Sequence, residues 1–245
     1  MHGKKNFLII LLGTWLFVST LAITAVIFKN PALRAASMME WGVIIFWIII
    51  CGGLMYHFRE PVRGVILKIR LPSQFKFVIF AVSLALLEEA ITTAMTNLAP
   101  LFGAKIGEAY ITASANFFDV VFFHSAINFV GPFIFWAFAL KRYDFSPFAA
   151  FLIFGISGTL AEASFGGFEH LLEFGLWIFV YGLMIFLPVY SLPDAEKRGA
   201  IKPRWYHYVA MVFLPALFVP LFSWIPGVVD PNHAQPTHFP PLNIR

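Results

Sequence analysis

Six acidic residues stand where an apolar environment is expected. Glu88, Glu89, Asp119, Glu162, Glu169 and Glu173 fall within or at the edge of long hydrophobic runs, and no Lys or Arg accompanies them there. A charge at the centre of a bilayer costs about 2.5–3.5 kcal/mol on insertion scales. Such groups therefore need protons, a bound cation, histidine partners or a water-filled cavity. Kept in those surroundings, a carboxylate can serve as a general base toward water, relay protons or hold a cation.

Their spacing is ordered. Glu88, Thr92 and Thr96 repeat every fourth residue, as do Glu89, Thr93 and Asn97, which places two adjacent polar stripes on one helix face. Downstream, Asn116, His124 and Asn128 share a face, with Ser125 close by, and Gly155, Gly158, Glu162 and Gly166 share another. The small residues of the last stripe would let a neighbouring helix approach closely. At 1.5 Å per residue, Glu89, His124 and Glu162 lie about 12, 10 and 8 Å below the outer face of a ~30 Å core. Asp119, Glu169 and His170 fall at the outer mouth. Taken singly, Thr92, Thr93, Thr96 and Asn97 read as hydrogen-bonding groups between helices. Asp119, Glu169 and Glu173 read as headgroup-level residues, and His124 as a satisfied interhelical histidine.

The elements that must position these residues follow from composition. Of 245 residues, 60% are hydrophobic and 12% charged, with 30 Phe. Soluble domains carry about 25% charged residues, so an ordinary soluble enzyme, a disordered chain and a nucleic-acid binder are excluded. The chain reads as an all-α bundle in a lipid bilayer, multi-pass, with the cell membrane as its expected location. Seven runs, roughly 7–28, 39–56, 77–98, 117–140, 147–165, 170–190 and 207–228, approach the ~20 residues needed to span. Residues 1–229 form the seven-span domain and 230–245 a Pro-rich extracytoplasmic tail. The first run is longer than a signal-peptide core and reads as an uncleaved span. A break is expected at Gly166-Gly167, a kink at Pro215 and Pro220, and a short basic amphipathic helix within 58–76. The single cysteine, Cys51, excludes an intramolecular disulfide.

Thirteen of the 17 Lys and Arg lie on one side of this alternation (Lys4, Lys5, Arg59, Arg63, Lys68, Arg70, Lys76, Lys141, Arg142, Lys197, Arg198, Lys202, Arg204). Lys29, Arg34, Lys105 and Arg245 lie on the other. The positive-inside rule then puts the N-terminus inside and the C-terminus outside.

Glu88-Glu89 followed by His124-Ser-Ala-Ile-Asn128 resembles the CAAX-protease and bacteriocin-processing family of intramembrane proteases, whose motifs are EExxxR, FxxxH and HxxxN. The resemblance implies Glu88 or Glu89 as the water-activating base and His124 with Asn128 as stabilisers of the tetrahedral intermediate. Thr93 stands at the Arg position of the first motif. Gly155-Ile156-Ser157-Gly158 also looks like the GxSG nucleophile motif of rhomboid proteases, which would make Ser157 the nucleophile. A retinal protein is excluded because the seventh run has no Lys.

Three functions follow. The first is an intramembrane, peptidase-like hydrolase with Glu88, Glu89, His124 and Asn128 as catalytic residues. A divalent metal on Glu89, His124 and Glu162 is compatible with it, since imidazole and carboxylate suit zinc. The second is a cation- or proton-coupled carrier. The third is a membrane subunit without chemistry. The substrate is accordingly a peptide or a cation.

The charge alternation makes topology measurable. With Cys51 replaced by Ala, single cysteines placed in 58–76 or 193–204 should react only with a membrane-permeant thiol reagent, and one in 230–245 with an impermeant one. A tail protected in intact cells would reverse the assignment.

Overall fold

Asn30-Pro31 sets the first turn of the bundle. The Asn30 side chain accepts from the backbone N–H groups of Ala32 and Leu33, at 3.0 and 3.2 Å, and Pro31 opens the next helix. The second span therefore begins eight residues before its apolar run does. A computed structural model describes residues 2–229, and the tail assigned to 230–245 lies outside the described residues.

Six helices are long and apolar enough to cross a membrane: Lys5–Ile27, Pro31–His57, Ser73–Asn97, Pro147–Phe165, Phe168–Tyr190 and Trp205–Val229. Among the described residues these six are joined by the pair Phe117–Phe123 and Ala126–Arg142, bent by 48°, which makes a seventh where it crosses as one broken span. They are numbered here as spans one to seven in chain order, the bent pair being the fourth. The chain is thus an all-α, multi-pass membrane protein with no strand among the described residues.

The expected irregularities are present, and one more appears. Span five ends at Gly166, and Gly167 turns the chain with φ 118°, a conformation that favours glycine. Span seven runs as α-helix to Phe213, tightens to 3₁₀ over Leu214–Phe218, and resumes after Pro220. The basic helix forms over Arg59–Lys68 with no buried residue. The Lys76 ammonium donates to the Ile66 and Ile69 carbonyls at its C-terminal end, at 3.0 and 3.3 Å. Arg63 reaches Asp194 at 2.5 Å, and the Tyr190 hydroxyl donates to Glu60. The unforeseen feature is the break at His124–Ser125 in what reads as a continuous run. There the Asn128 amide donates to the His124 carbonyl at 2.6 Å.

Packing is closest between spans five and six. A Cβ on Gly155 would stand 2.6 Å from the Ile178 carbonyl oxygen, and one on Gly182 would stand 2.7 Å from that of Phe151. Only glycine permits this approach of backbones. The surrounding core includes Phe77, Phe133, Trp136, Phe154 and Met184, all buried. Span two joins through the buried indole of Trp47, which donates to the Val180 carbonyl at 3.0 Å. Span seven lies at the edge, with only 11% of its apolar window buried inside the molecule.

Gly155→Val should therefore lower stability by about 1–3 kcal/mol, the usual cost of overpacking, read as a lower melting temperature in detergent. Gly53→Val, where an added Cβ meets nothing within 4 Å, should leave the melting temperature near wild type. Equal effects of the two would refute the close approach.

Candidate functional site: an acidic cavity between the spans

The tight packing of spans five and six leaves space on their other side. Spans one to six line a half-open cavity of about 690 Å³. Glu40 and Ser37 enter it from span two, Glu88, Glu89 and Thr92 from span three, and Ser125 and Phe129 from span four. Glu162 enters from span five, and His170, Glu173, Trp177 and Tyr181 from span six. Among the described residues five carboxylates line it, and no Lys or Arg does.

Each wall has a local cause. The fourfold repeat in span three turns Glu88, Glu89 and Thr92 inward together, and all three are buried. In span five the Gly158 position lets the Tyr181 ring lie against the helix, since a Cβ there would meet ring carbons. The Tyr181 hydroxyl then donates to the Glu162 carboxylate. His170 Nδ1 lies 3.0 Å from Glu173 Oε2. Thr20 from span one donates to Glu40 at 3.4 Å. The lining reaches Ile27, Leu33, the 110–113 loop, Phe165 and Gly166, where spans one, two, three and five end. By the charge rule this is the outer side. The loop is held down by Ile111 N–H to Thr96 Oγ1, at 3.3 Å, and by the Asn97 amide to the Ala115 carbonyl, at 2.8 Å.

Glu88 and Glu89 are the most deeply buried of the five. Glu88 is 5% exposed, and among the described residues its carboxylate makes no hydrogen bond to side chain or backbone. Glu89 and Glu162 lie within electrostatic reach of it, and the Ser125 hydroxyl is beside Glu89. Five carboxylates in one cavity cannot all be charged without counter-cations, because repulsion in a low-dielectric space is strong.

The residues singled out by sequence divide accordingly. Glu88, Glu89 and Glu162 share the cavity, and His170 lies at its mouth. His124 and Asn128 do not line it. His124 Nε2 is 3.7 Å from Asp119 Oδ1, with both side chains nearly buried. The Asn128 amide is engaged with the helix backbone. Asp119 is buried beside His124. Glu169 is exposed and outside the cavity. Among the described residues no group of three or more His, Cys, Asp or Glu side chains is placed to hold a metal ion. The expected metal set of Glu89, His124 and Glu162 is not such a group, and His124 stands outside the cavity lining. The reading of Ser157 is corrected. Its hydroxyl lies 3.0 Å from the Ile153 carbonyl and 2.8 Å from the Val212 carbonyl, so it is occupied as a donor between helices.

Glu40, Tyr181 and Trp177 escaped the sequence reading. The Asn30-Pro31 helix start was the available signal for Glu40. It places Glu40 nine residues into the span, about 14 Å along its axis. The two aromatics carry no such signal in a chain rich in them.

No family model, curated protein or solved structure matches this chain. Fold and cavity define its class: a multi-pass helical membrane protein with a carboxylate-lined interior.

Ser157→Ala should cost no more than about 1 kcal/mol, the usual worth of one hydrogen bond, and should leave ligand binding by the purified protein unchanged. Loss of function in a fully folded Ser157→Ala protein would restore the nucleophile reading.

Proposed function

We propose that this chain is a membrane carrier for cations that exchanges them against protons. The observation that carries this reading is the cavity of about 690 Å³ lined by five carboxylates, with His170 as the single imidazole and no Lys or Arg among the described residues. Protons and cations compete for the same oxygens, so entry of one displaces the other. Glu88 and Glu89, both deeply buried in the cavity wall, are the groups that exchange. Glu162 is held by the Tyr181 hydroxyl, and the His170–Glu173 pair stands at the outer mouth, where protons enter or leave. The interrupted helices of spans four and seven supply segments able to rearrange as access alternates.

The hydrolase reading needs its base and its oxyanion donors in one space. Glu88 and Glu89 line the cavity, whereas His124 and Asn128 do not. That separation favours the carrier over the peptidase.

The test is proton flux in proteoliposomes containing a trapped pH indicator. With an imposed pH gradient, adding a permeating cation to wild-type vesicles should move protons. Glu88→Gln should reduce the rate at least tenfold, and Glu162→Gln should reduce it as well. Wild-type vesicles that move no protons with sodium, potassium or organic ammonium ions would overturn the proposal. So would cleavage of membrane peptides that is lost in Glu89→Gln.

A further inference from the structure

The cavity is far larger than a bare ion requires. A water molecule takes about 30 Å³ of liquid volume, while pockets for small organic molecules span about 300–1,000 Å³. At about 690 Å³ this cavity falls in the second class. The carboxylates are also not gathered as an ion cage, since no metal-holding group is formed among the described residues.

One wall is a continuous row of rings. Phe129 and Tyr181 have centroids 5.7 Å apart, Tyr181 and Trp177 6.1 Å, and Trp177 and His170 5.6 Å. All four residues line the cavity. The Trp177 Nε1 is buried with no hydrogen-bond partner. Beyond this wall stands Glu88, 95% buried, lining the cavity and making no hydrogen bond among the described residues. Aromatic faces attract organic cations as well as apolar groups. Carboxylates supply the opposite charge for such a cation.

We infer that the ligand is an organic ammonium ion with an apolar body: its cationic head lies among Glu88, Glu89 and Glu162, and its body lies along Phe129, Tyr181 and Trp177. This inference rests on the carrier reading and names its substrate class. Aliphatic walls from Ile23, Ile27 and Val43 complete an apolar bed that a hydrated inorganic ion would not use. The charge selects for amines, and the rings select among amines by their body.

The experiment is calorimetric titration of the purified full chain in detergent with four probes. These are 2-phenylethylammonium chloride, its neutral counterpart 2-phenylethanol, methylammonium chloride and sodium chloride. Phenylethylammonium should bind at least tenfold more tightly than either methylammonium or phenylethanol. Trp177→Leu should weaken it about five- to tenfold, while Trp177→Phe, which keeps a ring, should weaken it less. Glu88→Gln should weaken both ammonium ions alike. Should Trp177→Leu lower the melting temperature, Phe129→Leu provides the second ring variant. Phenylethylammonium binding no better than methylammonium or sodium would overturn the organic-amine inference and leave the carrier reading standing. Absence of any cation binding, together with the absence of proton flux, would overturn both.

Discussion

A carboxylate inside a membrane protein must be neutralised, and among the described residues no Lys or Arg stands in the cavity to do it, only the imidazole of His170 beside Glu173. Glu40, Glu88, Glu89, Glu162 and Glu173 come from four different spans and meet in one space with no Lys or Arg. A buried carboxylate paired with Arg could be sealed in dry packing. Five without such partners must keep access to protons, water or cations. The cavity is thus required by the residue types that line it, and the packing of the bundle follows from the need to keep it open.

That packing is unequal on the two sides of span six. On one side Gly155 and Gly182 bring its backbone against span five with no side chain between. On the other, Trp177 and Tyr181 hold the neighbours away with full aromatic rings. Gly158 links the two sides. By receiving the Tyr181 ring it fixes the phenol where its hydroxyl reaches Glu162. The glycine stripe that reads as a helix contact in the sequence therefore also positions an acid of the cavity.

The multi-pass helical plan, the glutamate face of span three and the ends of spans five and seven were legible, because each rests on local chemistry. Apolar length, a fourfold repeat, a Gly pair and prolines carry their meaning within a few residues. The grouping of Glu88 and Glu89 with Glu162 also followed, since their depths agree. What failed depended on events that periodicity cannot express. The 48° bend at His124–Ser125 separates residues that a straight helix would align. Asn128, which looks like an oxyanion donor beside His124, instead donates to the carbonyl that the bend exposes. Thr92 similarly turns its hydroxyl to the Glu88 and Glu89 carbonyls. Polar residues in spans satisfy backbone first, and a sequence does not distinguish that use from chemistry. Glu40 was missed for the opposite reason: apolar length alone starts span two too late, and the Asn30 cap with Pro31 marks its true beginning.

The two irregular spans touch each other. A Cβ on Gly131, in span four after its bend, would stand 2.1 Å from the Phe218 carbonyl oxygen, at the end of the 3₁₀ stretch of span seven. Phe135 and Phe218 rings lie 5.0 Å apart beside this contact. Broken helices have fewer intrahelical hydrogen bonds to lose than continuous ones, so rearrangement concentrates where they meet. Span seven is also mostly outside the core, which leaves it little packing to give up. Ser125, at the bend, and Phe129, one turn beyond it, both line the cavity. A shift of span seven against Gly131 would therefore reach the acidic site through span four, while the glycine-locked pair of spans five and six stays fixed as the frame.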